Sequence, residues 1–486
     1  MVTKARSAIH MIRKAAGSFL PSAMPPSIRR NYSRELPGTA FFSIARAAFD
    51  GAVLGIIVKI AFDGVVSDTM LNTCVAVLSS APALANIINF LWTRASHGKN
   101  KVRFIAGIQI ALLILVLSIA AVPRSPAGLV VLCFLILGIW MCWSGYIAIR
   151  STIWRNNYPR HMRARVAGKF STIQTLVLAS LGLLLGVLMG DKLAAVNPSL
   201  SLESLGVEPV GVFRLYIVVC VCFGAVGVWV LSTIRVRQHK KMLRDERESI
   251  SEQAGPTINP MGVVKLLFED RRYGAYQVNQ FLMGMGNLMI LPLVPIIFRD
   301  RFGIGYFEGI LLAGVIPMAV VPFAIPLWAR LLDRVHVVRF RTYHCWVFIV
   351  IILLLLLASV QEIKWLLYVT VTLKGMAMAG GMLAWQLGHH DFAPKERAGE
   401  YMGVHVTLTG VRGLIGPIAS VLLYNALASQ NPEYGPWVLV LCLTLVLAGA
   451  LGFVAMARKM DLTPANDEPP ATSKTKGPAA VSRSDL

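Results

Sequence analysis

Long apolar runs separated by short basic loops dominate the pattern of this chain. A helix that crosses the core of a bilayer needs roughly 20 apolar residues, and twelve runs meet that length. They predict helices near 40–62, 69–93, 104–122, 127–149, 170–189, 215–233, 274–298, 307–329, 343–360, 365–387, 402–426 and 436–457. An even number of spans puts both chain ends on one side of the membrane. The pattern therefore predicts an all-α, multi-pass membrane protein.

One loop pattern occurs twice in the same direction. The string LWTRASHGKNKVRF begins at Leu91 and LWARLLDRVHVVRF begins at Leu327, with six identical positions and no gap. Each copy follows one apolar run and precedes another. A same-direction duplication of a multi-helix unit is how many secondary transporters are built. The repeat predicts two parallel-repeat six-helix bundles around a central cavity.

The same pattern divides the chain into five parts. These are a basic N-terminal segment (1–39), an N-terminal bundle (40–233), a linker (234–273), a C-terminal bundle (274–457) and a proline-rich tail expected to be disordered (458–486). Near the N-terminus, Ile9, Ile12, Ala16 and Phe19 form an apolar stripe that predicts a short helix on an anionic membrane surface. An organelle transit peptide is the alternative, because this stretch is basic and has no acidic residue before Glu35.

Charge placement decides the class of protein and its orientation. Only 15% of the residues are charged, against roughly 25% in soluble domains. The net charge of +22 would suit a nucleic-acid partner, but the basic residues lie in the gaps between apolar runs. Loops on the side of the termini, with both ends, hold 37 Lys and Arg, and the opposite loops hold six. The positive-inside rule then predicts that both termini are cytoplasmic. We expect the protein in a bacterial cytoplasmic (inner) membrane. No nucleic-acid partner is expected.

The sequence does not support an enzyme, a cofactor or a metal site. The seven cysteines fall within predicted spans, where they are expected as small packing residues. No phosphate-binding loop, nucleophile elbow or His-Glu-x-x-His motif is present. One polar cluster near the predicted helix 10–11 loop matches no standard metal spacing and is interpreted as polar residues of the cytoplasmic mouth or as a gate network with Arg397: His389, His390, Asp391, Glu396, Glu400 and His405.

On the duplicated loop, the chain resembles the major facilitator superfamily of secondary transporters over 40–460. The family motif between helices 2 and 3 is roughly G-x-L-a-D-R-x-G-R-[RK], and the second copy keeps its acid–arginine pair as Asp333-Arg334. In the first copy, His97 stands where the acid is expected. The resemblance implies alternating access, with a charge lock at the cytoplasmic helix ends. The loop residues assigned to gating are Arg94, Gly98, Lys99, Lys101, Arg103, Arg163, Arg330, Asp333, Arg334, Arg339 and Arg397.

Charged residues inside the predicted spans are the main candidates for a binding site. Each costs roughly 2.5–3.5 kcal/mol at the bilayer centre and usually faces a cavity or a partner. Arg46 and Asp50 lie one helical turn apart, and Lys374 and Arg412 lie mid-helix. Lys59, near the end of helix 1, is expected to extend its ammonium to the interface. The resemblance implies that helices 1, 4, 7 and 10 line the path, so Asp50 and Lys374 would face one cavity.

The leading hypothesis is a proton-coupled transporter of a small organic solute, with an anionic one favoured. Arg46, Lys374 and Arg412 would bind the anion, Gln280 and Asn287 would add hydrogen bonds, and Asp50 would exchange the proton. Static pairs are the alternative: Arg46 with Asp50, or Arg412 with Asp50 or a polar neighbour. The other hypotheses are a multidrug or metabolite exporter and a non-transporting receptor or assembly factor of the same fold. The expected partners are the solute, protons and the lipid bilayer, with the protein as a monomer.

Overall fold

The computed structural model describes residues 17–195, 197–248, 260–393 and 397–460. Every regular element in these ranges is a helix, and twelve helices are long and apolar enough to cross a membrane. The first six are α1 (Pro26–Ala61), α2 (Asp68–Ile87), α3 (Lys101–Ile119), α4 (Pro126–Asn157), α5 (Arg160–Met189) and α6 (Pro209–Ser232). The last six are α7 (Arg271–Asp300), α8 (Tyr306–Leu332), α9 (Val337–Gln361), α10 (Trp365–Leu387), α11 (Ala398–Ala428) and α12 (Pro432–Lys459). The prediction of twelve spanning helices is confirmed.

Shorter helices lie between the spans. Asn89–Ala95 follows α2, while His239–Glu248 and Pro260–Glu269 lie in the predicted linker. In the predicted amphipathic stripe, Ile9, Ile12 and Ala16 lie outside the described residues and Phe19 lies within them, while the tail after residue 460 also lies outside. We call the face where α1 begins and α12 ends the terminal face, and the other side the opposite face.

The helices of each half pack among themselves. In the first half, α1 packs on α5 and α6, and α4 packs on α2 and α3. In the second half, α7 packs on α11 and α12, while α10 packs on α8 and α9. The two bundles meet where α2 contacts α11, α5 contacts α8, and α1 contacts α7. A site between the bundles can therefore receive side chains from both halves of the repeat.

Helix α1 begins well before residue 40, where the apolar run starts, because its polar first turns are satisfied inside the protein. The buried Glu35 carboxylate accepts hydrogen bonds from Arg150 Nε at 3.1 Å, Tyr158 Oη at 2.6 Å and Trp154 Nε1. The Arg150 guanidinium also donates to Thr39 Oγ1 at 2.7 Å. Burial of a charge is tolerated when it is paired and hydrogen-bonded. This network extends α1 and α4 beyond their apolar runs.

Polar contacts join the two bundles at the opposite face. Lys59 Nζ lies 2.8 Å from Asp300 Oδ1 and donates to Asn72 Oδ1 at 2.8 Å. Asn72 in turn donates to Asn425 of α11 at 2.9 Å. The expectation that Lys59 reaches the membrane interface is wrong, since its side chain is only 1% exposed. A carboxylate from the other half of the chain satisfies the ammonium more fully than the interface would.

Candidate functional site

A break in α1 places a carboxylate deep in the protein. The helix is interrupted after Ala47 and resumes at Gly51, and Asp50 between them has extended backbone angles (φ −62°, ψ 119°). Asp50 is the N-cap of the second segment, because its side chain accepts from Val53 N at 3.5 Å. Aspartate is a preferred N-cap residue since it satisfies a backbone N–H that has no partner in the first turn. Discontinuous helices of this kind often form binding sites in transporters.

An aromatic cage holds the cation next to this break. Arg46 Nη1 lies 3.5 Å from Asp50 Oδ2, so the predicted pairing is present. The guanidinium carbon lies 4.7 Å from the ring centroids of Phe49 and Trp140, and 5.4 Å from that of Trp143. Cation–π contacts of this kind contribute about 0.5–2 kcal/mol each. They fix the guanidinium without using its N–H groups.

Several hydrogen-bond donors in this cage are unused. Arg46 Nε and Trp140 Nε1 are buried and make no hydrogen bond with the protein, and Arg46 Nη1 makes only the 3.5 Å ion pair with Asp50. A buried donor without a partner costs about 1–3 kcal/mol. A ligand with acceptor oxygens would remove that cost.

The C-terminal bundle supplies a second cation to the same site. Lys374, on α10, is half-buried, and its ammonium interacts electrostatically with Asp50 of α1. It forms no ion pair with a carboxylate of the described residues. The site therefore contains two cations and one carboxylate, contributed by both bundles. We call Arg46, Asp50, Trp140, Trp143 and Lys374 the central site.

Arg412 does not belong to the central site. Its side chain is 4% exposed and lies in the seam between α7 and α11. It donates from Nη1 to the backbone oxygen of Gln280 and from Nη2 to Thr409 Oγ1 at 3.0 Å. The guanidinium packs where Gly284 has no side chain. Of the two static partners considered for Arg412, Asp50 or a polar neighbour, the structure shows polar neighbours, the Gln280 carbonyl and Thr409.

The two predicted amides of α7 differ in their surroundings. Gln280 is buried, its backbone carbonyl accepts a hydrogen bond from Arg412, and its Oε1 atom makes no hydrogen bond. Asn287, almost two helical turns further on, is half-buried and makes no side-chain hydrogen bond with a described residue. The structure thus places Gln280 with Arg412 rather than with the central site.

The first copy of the duplicated loop is held by local bonds. Lys101 is buried, and its Nζ donates to Ser96 O at 2.6 Å. Lys99 lies 5.3 Å from the Phe104 ring, and Gly98 adopts a left-handed backbone (φ +66°). The other two residues assigned to gating in this loop are exposed: Arg94 and Arg103.

Among the described residues, the second copy shows no charge lock of the kind that the resemblance implies. Its gating residues are exposed and form no ion pair with a described residue: Arg330, Asp333, Arg334 and Arg339. Instead, His336 Nδ1 accepts from Val338 N at 3.2 Å and caps α9. Burial lowers the pKa of His336, and the nearby Asp391 carboxylate opposes that shift. The neutral imidazole suits an acceptor role at the cap.

The other predicted loop residues also have structural partners. Arg163 donates to Arg155 O at 3.1 Å and Tyr158 O at 3.4 Å, at the end of α4. Arg397 donates to Glu400 Oε2 at 2.8 Å, and that hydrogen bond raises the pKa of Arg397. In the cluster near the helix 10–11 loop, Glu396 and the His390 side chain lie outside the described residues. Over the residues that are described, no three His, Cys, Asp or Glu side chains are placed to hold a metal ion.

Sequence reasoning missed the aromatic part of the central site. Trp140 and Trp143 lie three apart on α4, a spacing that puts both on one helix face. In a uniformly apolar span, this spacing does not distinguish a packing pair from a cation cage. The tertiary contact with Arg46 makes that distinction.

Twelve apolar helices in two bundles, with a charged site between them, define a membrane transport protein rather than an enzyme. The sequence profile of the Major Facilitator Superfamily matches residues 15–417 and 280–482. The chain belongs to the Major Facilitator Superfamily. A comparison with curated proteins finds no match.

Several solved structures share this fold. One is the nucleoside transporter NupG, with a TM-score of 0.60 and 16% identity over 87% of this chain and 99% of that chain. Another is a bacterial homolog of the human lysosomal transporter Spinster, inward-facing and occupied (0.61; 15%; 89% and 97%). A third is the xylose transporter XylE from E. coli in an inward open conformation (0.60; 12%; 89% and 96%). At these identities the similarity concerns the fold.

Proposed function

We propose that the protein is a secondary transporter that couples a small organic anion to a proton by alternating access. The observation that carries this proposal is the charge of the central site. Arg46 pairs with Asp50, and Lys374 of the other bundle interacts electrostatically with the same carboxylate without forming an ion pair. One positive charge is left over, and an anion would neutralise it.

The same arrangement supplies a coupling mechanism. When Asp50 is ionised, it neutralises part of the charge on Arg46 and Lys374. When Asp50 binds a proton, both cations lose that counterion and attract an anion more strongly. Proton and anion binding then favour each other, because such coupling is reciprocal. This sign of coupling corresponds to symport.

Alternating access gives the contacts at the opposite face a role. The Lys59–Asp300 and Asn72–Asn425 contacts hold the bundles together there. They must break for that face to open, while the central site stays between the bundles. We assign the terminal face to the cytoplasm of a bacterial inner membrane, as the distribution of basic residues predicts.

A non-transporting relative of the same fold is disfavoured by Lys374. In a static scaffold, an ammonium within a membrane span is expected to have a permanent partner. Lys374 interacts electrostatically with Asp50 but forms no ion pair with a described carboxylate. An exchangeable partner fits it better than a fixed one.

A second candidate is a transporter or exporter of neutral, flat solutes. The aromatic cage of Phe49, Trp140 and Trp143 favours it, because aromatic faces stack on rings. The similar folds named above include a nucleoside transporter and a xylose transporter. Uridine and xylose therefore belong in any substrate panel.

The test is uptake into proteoliposomes over a panel of carboxylates and phosphate esters, with uridine and xylose, under an imposed proton gradient. We expect a member of the anion panel to accumulate. Asp50→Asn should abolish proton-driven accumulation but retain exchange of substrate across the membrane. Lys374→Gln should raise KM by about tenfold, the loss of one charged contact of about 1.4 kcal/mol.

The matched control is Lys364→Gln. Lys364 is an exposed lysine at the opposite face that pairs with Glu308 at 2.6 Å, far along α10 from Lys374. The Lys364→Gln variant should transport the substrate at the wild-type rate and KM. If only neutral solutes move, the second candidate replaces the anion. If Asp50→Asn still accumulates substrate with the proton gradient, Asp50 is not the coupling group.

A further inference from the structure

Two buried arginines lie close together in the C-terminal bundle, apart from the central site. Arg341, near the start of α9, is 1% exposed, and Arg412 of α11 is 4% exposed. Their guanidinium groups interact with each other as like charges. Neither forms an ion pair with a carboxylate of the described residues. Two buried cations without a counterion are costly in a protein interior.

Unused polar atoms surround this pair. Arg341 Nε, Arg412 Nε, Tyr276 Oη and His405 Nε2 are all buried and make no hydrogen bond with the protein. Tyr276 interacts electrostatically with both arginines, and so does His405. On α7, Gln277 and Gln280 lie next to Tyr276 and contact His405 and Arg412 of α11. With Arg341, which interacts with Tyr276 and Arg412, these side chains lie in one region between α7, α9 and α11. We call Arg341, Arg412, Tyr276 and His405 the arginine cluster.

The remaining bonds of the cluster do not supply a counterion. Arg341 Nη1 lies 3.2 Å from His344 Nδ1, and His344 Nε2 lies 2.8 Å from Ala377 O. His344 must donate to that carbonyl from Nε2, so its Nδ1 is the acceptor and the imidazole is neutral. His405 Nδ1 is engaged by the Gln277 amide at 3.3 Å, which leaves Nε2 directed elsewhere.

One acidic group lies in the neighbourhood, but it has another role. Asp391 interacts electrostatically with Tyr276 and His336. Its Oδ2 atom accepts from Val337 N at 2.7 Å and so caps the first turn of α9. It forms no ion pair with Arg341 or Arg412.

We propose that an oxyanion, a carboxylate or phosphate group, binds in the arginine cluster. Such a group accepts several hydrogen bonds and suits guanidinium donors better than a neutral ligand. Arg341 and Arg412 would supply the charge, while Tyr276 Oη and His405 would donate to its oxygens. The site is built from α7, α9 and α11, whereas the central site is built from α1, α4 and α10. The two sites are tested separately, and this one does not rest on the proposed function.

The anion has two possible sources, the headgroup of an acidic lipid or a free solute, and one experiment separates them. The full chain is purified in detergent, and its thermal unfolding is followed with sodium phosphate or sodium acetate against chloride at constant ionic strength. Ligand that binds only the folded state raises the unfolding temperature with concentration. Native mass spectrometry of the same protein, with added phosphatidylglycerol, reports bound lipid.

We expect phosphate or phosphatidylglycerol to stabilise the wild type. Arg341→Gln and Arg412→Gln should each weaken that binding at least about tenfold, the loss of one charge-assisted contact. Arg458→Gln is the matched control, because Arg458 is an exposed arginine in the same bundle and at the terminal face. It should bind like the wild type.

Tyr276→Phe keeps the test decisive if the arginine variants do not fold. The Tyr276 hydroxyl lies beside the Arg341 guanidinium without a protein hydrogen bond of normal geometry, so its removal should change the unfolding temperature without added anion only slightly. With anion, it should weaken binding severalfold. If phosphatidylglycerol stays bound in an excess of phosphate, the natural ligand is a lipid headgroup. If phosphate displaces the lipid, the natural ligand is a free anion. The proposal is overturned if no probe binds the wild type, or if Tyr276→Phe and Arg412→Gln bind as the wild type does.

Discussion

The buried lysine at the opposite face offers a quantitative test of how the bundles are held. Lys59 is 1% exposed and contacts Asp300, whose side chain is 29% exposed. A second pair on the same face, Arg299 and Asp63, joins α7 to the loop directly after α1 at 2.6 Å, with side chains 33% and 35% exposed. Each pair joins one cation to one carboxylate across the same interface, with the cation on α1 in the first pair and on α7 in the second, and the pairs differ in burial. The structure therefore contains its own control.

The expected magnitudes follow from burial. Removing one partner of a fully buried pair costs about 3–5 kcal/mol. Asp300 keeps some water and a hydrogen bond from Tyr424 at 3.2 Å, so we expect Lys59→Met to cost about 2 kcal/mol of bundle contact. That corresponds to roughly a thirtyfold shift toward the state with the opposite face open. Arg299→Gln removes a solvent-screened pair and should cost about 0.5 kcal/mol, a shift of roughly twofold.

Distances between spin labels across the opposite face measure this shift. Ser199 of the first bundle and Glu433 of the second are exposed there and would carry the labels. Cys222, the one native cysteine that is exposed among the seven, would be replaced by serine. Lys59→Met should increase the long-distance population far more than Arg299→Gln.

A double variant separates charge from packing. Lys59→Met with Asp300→Leu removes both charges, and apolar replacement of a buried pair is often neutral. It should return the distances toward those of the wild type. If Lys59→Met shifts the distances no more than Arg299→Gln does, burial does not make this pair the stronger contact, and the reasoning is refuted.

Three further predictions concern stability in detergent. Burial lowers the pKa of His336 below 6.5, so the cap it forms should weaken by about 1 kcal/mol as the pH falls through the pKa of the folded state. The variant His336→Asn keeps an acceptor and should flatten the dependence of Tm on pH below neutrality. An unchanged slope would contradict the assignment of the cap to His336. Glu35→Gln leaves Arg150 without its carboxylate and should lower the free energy of unfolding in urea by about 3 kcal/mol. An unchanged free energy of unfolding would mean that the ion pair does not stabilise the protein. Gly227→Ala would place a Cβ against the backbone of α1 and should cost about 1–3 kcal/mol, whereas Gly107→Ala, with open space around it, should not lower Tm.

The contrast between Arg46 and Arg412 illustrates what sequence spacing can predict. Arg46 and Asp50 are four residues apart, so their pairing follows from local geometry, and it is present even though the helix breaks before Asp50. The direction of Arg412 depends on which face of α11 meets α7. On α7, the missing side chain of Gly284 leaves room for the guanidinium. No local pattern around Arg412 contains this information.

Long-range ion pairs follow the same principle. Lys59 and Asp300 lie in different halves of the chain, and Glu35 and Arg150 lie in different helices of one bundle. Each residue alone is consistent with an exposed position near a helix end. The pairings require helices that are distant in sequence to pack side by side.

The sequence by itself determined the twelve spans, the duplicated halves and the separation of basic from apolar segments. These features depend on hydrophobic length and on charge placement, which are local properties of the chain. Only the tertiary structure decided which charges meet. It brings Arg46, Asp50 and Lys374 together and places Arg341 beside Arg412. The physical reason is that a buried charge is compensated by whatever lies across the helix interface, and helix packing selects that neighbour.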